Sequence, residues 1–532
     1  MKKNRIYALV LTVLGVSCNV YSGVKTGDTI VETNNGLVQG VQSGEVISYK
    51  GIPYAQPPVG NLRWRAPQPI ESWDGVFQAN DYGHDCLEVP FPSDLTTSDN
   101  EMSENCLYLN VWKPAQPSRT LRPVIVWIHG GGFVNGSSSE PAYNIRAFAR
   151  QGIVGVSFNY RLGRFGFFAH PALSNAQEDP TLGNYGFMDQ IAALNWVKEN
   201  VAQFGGDPNQ VTVVGESAGG LSIHALLTSP LAGHLFDRAI IQSGAGRVNF
   251  SNNYLSKTNE KGDISAEEVG VLFAEKEGIS GEGPDALQAL RALPAEEILG
   301  NLNLLTLGSD PTYSGPMIDG KVVTAHPEDF YSAGQGLSVP LLVGATTLEL
   351  PIMSFFDTIP QTKEEALSLF GPVRSEIARW IYGVTDETAP MELVQDIARD
   401  AGMVEPARFV MREADKQGQT IYGYRFGYVN DAQKATAEGA AHASDIAYAF
   451  NTVKAVYKDK LTESDQAMAD MVHQYWVNFV RYGNPNGAGL PYWSRYHGWA
   501  DNLMMFSNDG VNQSGMVRDP WQLRLDLIES IQ

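Results

Sequence analysis

Only three of the 532 residues are cysteine, at positions 18, 86 and 106, and none of them forms the Cys-x-x-Cys spacing of a metal or redox site. Long apolar runs are missing too. The run from Ile6 to Val16, about 11 residues, is too short to cross a bilayer, and no later stretch is both long and apolar enough. Basic residues are scarce relative to acids, 38 Lys and Arg against 59 Asp and Glu, for a formal charge of −21. A surface of that sign repels phosphate backbones and anionic headgroups, so nucleic acid is excluded as an expected partner. No internal repeat, low-complexity tract or linker divides the chain. With 43% hydrophobic and 18% charged residues a large core is within reach, and one domain over 23–532 is expected.

Among the features present, the N-terminus has the form of an export signal. Lys2, Lys3 and Arg5 precede the short apolar run, and small residues at Val20 and Ser22 suit cleavage before Gly23, which sets off residues 1–22. A rival pattern, Gly15-Val16-Ser17-Cys18, loosely resembles a lipoprotein signal that would leave Cys18 acylated. The mature chain is expected to be secreted or periplasmic, without a transmembrane segment. In an exported chain the even pair Cys86 and Cys106 is expected to form a disulfide, worth roughly 3 kcal/mol in the chain-entropy picture.

Short apolar runs bounded by glycine recur at Val124–Ile128, Val154–Phe158, Val211–Val214, Ala239–Ile241 and Val339–Val343, as strands buried on both faces require. Between them lie helical patterns. Met188, Ile191, Leu194, Val197, Val201 and Phe204 repeat every three or four residues until Gly205-Gly206-Asp207-Pro208 stops them. The alternation predicts an α/β fold, a mostly parallel sheet flanked by helices. A small N-terminal hairpin is expected around Asn34-Asn35-Gly36, and a helical, irregular insertion over residues 247–335.

The strand Val211–Val214 runs into Gly215-Glu216-Ser217-Ala218-Gly219-Gly220, followed by a helical start at Leu221. A Gly-x-Ser-x-Gly between strand and helix is the arrangement that lifts a nucleophilic hydroxyl to the carboxyl edge of a sheet. Directly after Val124–Ile128 comes His129-Gly130-Gly131-Gly132-Phe133. Such a loop presents bare N–H groups, and those of Gly131 and Gly132 with that of Ala218 would make a three-donor oxyanion hole. A base must follow the serine. His84, His129 and His170 precede it, and His224 lies seven residues along the same helix, about 10 Å away. Among His234, His326, His442, His473 and His497, only His442 sits in a glycine-led loop after a strand-like segment, Thr420–Phe426. A loop histidine alone is often merely solvated, so His442 is a candidate base on this ground and no more.

These segments resemble the type-B carboxylesterase family, which includes cholinesterases, liver-type carboxylesterases and bacterial para-nitrobenzyl esterases. The resemblance spans nearly the whole mature chain. It includes Gly51–Ala55, Glu104–Val111, Asn159–Arg161, Phe204–Pro208, the Gly215–Gly220 turn and Gly483–Asn486. It implies an α/β-hydrolase fold with helical insertions over the active site and a cofactor-free and metal-free hydrolysis of small-molecule carboxylic esters. The implied catalytic residues are Ser217, His442 and a glutamate. The family's Gly-x-x-x-Asp-Glu-Gly pattern falls on Gly344–Leu350 and points to Glu349, although Leu348 and Leu350 replace the usual Asp and Gly. Asp319 and Asp445 are the competing acids. Asp319 reads as a turn former, and Asp445 as a brace of the histidine loop. The Cys86–Cys106 pair falls on the family's first disulfide. Cholinesterases place a cation-binding tryptophan inside that loop, and residues 87–105 contain none, which implies a preference for uncharged esters. A non-catalytic adhesion protein, a lidded lipase and an amide or carbamate hydrolase are the alternatives. Oligomeric state is open.

Overall fold

The computed structural model describes residues 29–532, apart from 91–94, 177, 179–180, 248–253, 260–261, 354–355 and 357. The export signal, Cys18 and the Ser22–Gly23 junction therefore lie outside the described residues. Eleven strands form the main sheet. In chain order they are β1 (Val41–Ser43), β2 (Val46–Pro53), β3 (Tyr108–Pro114), β4 (Arg122–Ile128), β5 (Val154–Phe158) and β6 (Gly206–Glu216). They continue with β7 (Arg238–Gln242), β8 (Leu341–Thr346), β9 (Ile421–Phe426), β10 (Asn502–Phe506) and β11 (Gly515–Arg518). The spatial order is β1-β2-β3-β5-β4-β6-β7-β8-β9-β10-β11. Strands β5 through β10 pair in parallel, and both edges are antiparallel.

The continuous apolar runs are explained by burial on both faces. Val124, Val126 and Ile128 of β4 enter one core, while the alternate Ile125 and Trp127 enter the other. Strands β7 and β8 repeat the pattern, with Ile240 and Leu342 set opposite Ile241 and Val343. The first face is covered by α1 (Tyr185–Asn200) and α2 (Ala218–Thr228), through Leu194, Val197, Ile223 and Leu226. The second is covered by a 20-residue helix, Glu463–Tyr482, through Val472, Trp476 and Phe479. Burying each such side chain stabilises the fold by about 1.5–3 kcal/mol. That helix starts at a capping box, Thr462 with Asp465, and ends at Gly483 with φ 64°.

Several details depart from the sequence reading. Helix α1 stops at Asn200, and Val201–Phe204 tighten into a 3₁₀ turn before Gly205 at φ 84°. Strand β8 begins and ends a few residues later than expected, and β6 starts early, with a register shift between Gly206 and Val211. Strands β2 and β3 carry no clear apolar run, since Ser48 interrupts the first and Asn110 and Lys113 the second. The hairpin forms as expected, with Ile30–Thr33 against Gly36–Gln39. Within residues 247–335 the described helices are Ala266–Lys276, Pro284–Ala292, Ala295–Leu299 and Pro327–Ser332. Cys86 and Cys106 are bonded, with sulfurs 2.05 Å apart. No helix among the described residues is long and apolar enough to cross a membrane.

Candidate active site

Strand order reverses around β4, which lies between β5 and β6, and loops leaving the carboxyl ends there face a common cleft. Ser217 occupies the turn from β6 into α2 at φ 53°, ψ −122°, a region strained for any residue with a side chain. The flanking glycines are required by contact. A Cβ at Gly215 would sit 2.4 Å from the Gly219 carbonyl oxygen, and one at Gly219 would sit 2.1 Å from that of Ile128. The strained turn is held by Ser217 N–H donating to the Gln242 carbonyl at 3.0 Å and by Leu221 N–H donating to Ser217 O at 2.8 Å.

The glycine loop after β4 packs directly on this turn. A Cβ at Gly130 would meet Glu216 Oε2 at 2.7 Å and Ser217 Cβ at 3.1 Å. Gly131 and Gly132 have φ of 96° and 61°, which favours glycine at both. No described residue accepts from the N–H of Gly131, Gly132 or Ala218. His129 is buried behind the loop, stacked on Tyr160 at 4.3 Å with Nδ1 against the Gly130 carbonyl at 3.0 Å, and burial brings its pKa down to about 4. It is therefore a neutral structural ring. His224 is likewise buried and paired with the Tyr331 hydroxyl at 2.7 Å.

Across the cleft, the loops after β8 and β9 carry Glu349 and His442. They are joined by a short parallel bridge, Leu348 to Ala441. Leu348 N–H donates to Ala440 O at 2.8 Å and His442 N–H to Leu348 O at 3.0 Å. Thr347 Oγ1 accepts from Ala440 N–H at 2.9 Å. This stitching holds the Glu349 loop at Leu348, one of the two positions that depart from the family pattern. Glu349 Oε2 meets His442 Nδ1 in a short hydrogen bond, while its Oε1 accepts from Ser243 Oγ at 2.6 Å and from the Thr346 N–H at 2.7 Å. Burial pushes the Glu349 carboxyl up, but His442 and these donors together hold it below the ordinary carboxylate range.

The second ring nitrogen, His442 Nε2, lies 3.2 Å from Glu216 Oε1. Burial lowers the imidazole's pKa, yet Glu216, Glu349 and Asp445 overcome it and leave the ring more basic than an ordinary histidine. Glu216 is shifted upward, chiefly by its own burial. Ser217 Oγ makes no hydrogen bond to a described residue, so the contact between serine and histidine is not among those formed here. Such contacts are commonly loose without substrate. Asp445 accepts instead from the Tyr424 hydroxyl of β9 at 2.6 Å. Asp319 caps its own turn, accepting from the N–H groups of Lys321 and Val322 at 2.6 and 2.7 Å. Glu216 and Ser243 were not singled out from the sequence. The available signals were the variable position of the Gly-x-Ser-x-Gly and the small residues Ser243-Gly244-Ala245-Gly246 at the carboxyl end of β7. Among the described residues no group of three or more His, Cys, Asp or Glu has the arrangement of a metal site.

Residues 27–519 match the model of the carboxylesterase family. The chain is 35% identical to the para-nitrobenzyl esterase of Bacillus subtilis (strain 168), over 88% of this chain and 92% of that protein. It is 33% identical to carboxylesterase 1C of Rattus norvegicus, over 92% and 91%. A solved para-nitrobenzyl esterase structure superposes with a TM-score of 0.78 at 31% identity, covering 94% of this chain and 99% of that one. These relatives match this chain along nearly their whole length. The chain belongs to the carboxylesterase family and is a carboxylic ester hydrolase of the α/β-hydrolase fold.

Proposed function

We propose that residues 23–532 act as one exported hydrolase unit that cleaves carboxylic esters through an acyl-enzyme on Ser217, with His442 as base and Glu349 as orienting acid. The observation that carries this reading is the bond from His442 Nδ1 to the buried Glu349 carboxylate. It fixes the tautomer in which Nε2 is free to take a proton. Ser217 Oγ gives its proton to Nε2 as the oxygen attacks the ester carbonyl. The N–H groups of Gly131, Gly132 and Ala218 stabilise the resulting oxyanion, each donor worth about 3 kcal/mol in the transition state. His442 then protonates the departing alkoxide, and the alcohol leaves. Water, deprotonated by the same ring, attacks the acyl-enzyme and releases the acid and the free serine.

The absence of tryptophan from residues 87–105 favours an uncharged ester over a choline ester. The bacterial relative is named for a para-nitrobenzyl ester, which is the first compound to try on this chain. The Cys86–Cys106 bond supports export through the N-terminal segment 1–22. Ser217→Ala tests the catalytic reading. Turnover of a neutral nitrophenyl ester should fall by about 10⁴–10⁶-fold, with labelling by a fluorophosphonate abolished. Retention of either defeats it.

A further inference from the structure

Three segments meet at the side chain of Asn135, in the loop after β4. The residue is wholly buried. Its backbone N–H closes a tight turn on the Gly131 carbonyl at 2.8 Å, and a Cβ at Gly131 would lie 2.1 Å from the Asn135 carbonyl oxygen. From that turn the side-chain amide reaches in two directions. Nδ2 donates to the Val89 carbonyl at 2.6 Å and to Glu88 Oε2 at 3.3 Å, both inside the loop closed by Cys86 and Cys106. Oδ1 accepts from the Leu304 N–H at 3.1 Å. Leu304 in turn covers Gly132, its Cδ2 lying 2.5 Å from where a Cβ would stand. The amide's donors and its acceptor are all engaged, on segments 46 or more residues away in sequence.

A run of three glycines has no side chains to hold its own peptide planes, and Gly131 and Gly132 adopt positive φ that glycine enters and leaves freely. Their direction must come from the flanks. On one flank is the buried His129 ring, and on the other is Asn135. We propose that Asn135 is a positioning residue for the oxyanion hole. Its amide ties the Gly131–Asn135 turn to the disulfide loop and to the Leu304 turn, and so aims the N–H groups of Gly131 and Gly132. This rests on the catalytic reading above, in which those groups receive the oxyanion. The competing account is a satisfied buried amide whose loss lowers stability alone.

The two accounts separate when rates are counted per active site. A fluorophosphonate titration of Asn135→Ala measures the folded, reactive fraction, and kinetics on a neutral nitrophenyl ester follow. Misaimed donors should lower kcat per site by about 10–100-fold while KM stays nearly constant. Affinity for a trifluoromethyl ketone, which forms a tetrahedral adduct, should weaken by the same factor. Glu88→Ala removes an acceptor of both Asn135 Nδ2 and the Gly136 N–H, and should lower kcat per site a few-fold. The proposal is overturned if Asn135→Ala keeps parental kcat per site and ketone affinity and loses only melting temperature. Should Asn135→Ala not fold, unchanged values in Glu88→Ala overturn it. Activity persisting in Ser217→Ala would instead indict the catalytic reading itself. An inactive Ser217→Ala beside a fully active Asn135→Ala defeats this proposal alone.

Discussion

On the serine side of the cleft the geometry is set by what cannot fit. Gly130, Gly215 and Gly219 each lie within 2.9 Å of backbone or carboxylate atoms at the position a Cβ would take, so the glycine loop and the serine turn interlock at backbone distance. On the histidine side the geometry is set by bonds. The Leu348–Ala441 bridge, Thr347 Oγ1 and the donors on Glu349 hold two loops in which the one tight glycine, Gly439, would set a Cβ 2.9 Å from the Thr347 side chain rather than interlock at backbone distance. The contrast teaches that one half of a catalytic site can be rigid through steric exclusion and the other through hydrogen bonding. The two halves should then fail differently under mutation, the first by losing the fold of the turn and the second by losing turnover in a folded enzyme.

The largest effect is expected from Gly219→Ala. The added methyl would stand 2.1 Å from the Ile128 carbonyl oxygen and 2.9 Å from that of His129, so β4 and α2 must separate. Overpacking of this kind costs about 1–3 kcal/mol or more. Folded yield should drop, and the residual soluble protein should show no fluorophosphonate labelling at Ser217. A stable, fully reactive Gly219→Ala would remove the steric half of the comparison.

Next comes Glu349→Gln, on the bonded side. The amide keeps the volume and can still accept from Ser243, but it cannot hold the imidazolium. Turnover should fall by about 10²–10⁴-fold at nearly unchanged melting temperature, on the scale of triad lesions. Asp445→Asn and Asp319→Asn should lose far less activity per folded site, because Asp445 answers Tyr424 and Asp319 its own turn. Near-normal turnover in Glu349→Gln with an inactive Asp445→Asn would reassign the acid.

A smaller and sharper effect is expected from Glu216→Gln. His442, the proposed base, must be neutral to accept the serine proton, and the surrounding carboxylates hold its proton more tightly than in an ordinary histidine. The acid limb of kcat/KM against pH, which reports the free enzyme, should therefore lie above the usual histidine value. Replacing the carboxylate 3.2 Å from Nε2 by an amide removes part of that stabilisation, so the limb should move to lower pH. A limb that stays in place or climbs would show that Glu216 does not sense the ring.

The same contrast explains what was legible in the sequence. Steric exclusion leaves a signature, since only glycine satisfies it. Gly-x-Ser-x-Gly and the His129–Phe133 loop accordingly pointed to Ser217 and the donor loop from residue types alone. The buried parallel strands were legible for a like reason, as two covered faces demand unbroken apolar runs. Hydrogen bonding leaves a weaker trace. Nothing in Leu348-Glu349-Leu350 announces that the segment pairs with Ala440 and His442, and Glu349 was reached through family spacing. Ser243 and Asn135 act through bonds to partners 106 and 169 residues away, which no local pattern encodes. Strands β2 and β3 were missed because polar side chains such as Asn110, which donates to Ser138 and Ser157, break the apolar run without leaving the core.

The finest test of the comparison is Arg399, at the end of a helix spanning Pro390–Arg399. Its Nε donates to the backbone carbonyl of Glu349 at 3.0 Å, while its Nη1 is paired with Asp396 at 2.9 Å. The guanidinium thus holds the main chain of Glu349, the proposed acid, where the family pattern has glycine next to the glutamate and this chain has a half-exposed Leu350. Besides its pair with Asp396, Arg399→Ala removes one charge-assisted bond to the Glu349 carbonyl, worth about 1.5–3 kcal/mol before other bonds share the load. Glu349 retains Ser243, the Thr346 N–H and the bridge at Leu348, so the carboxylate should shift slightly rather than leave the imidazole. Turnover is expected to fall about two- to fivefold, with little change in KM, since a small misplacement of the orienting acid raises the barrier more than it weakens ground-state binding. Arg399→Lys should not restore it fully, because an ammonium cannot present the same planar pair of donors to the carbonyl and to Asp396. If Arg399→Ala instead matched Glu349→Gln in its loss of turnover, the histidine side would depend on a single bond rather than on a shared set. The carbonyl of Glu349 would then be the one contact on which that side of the site is hung.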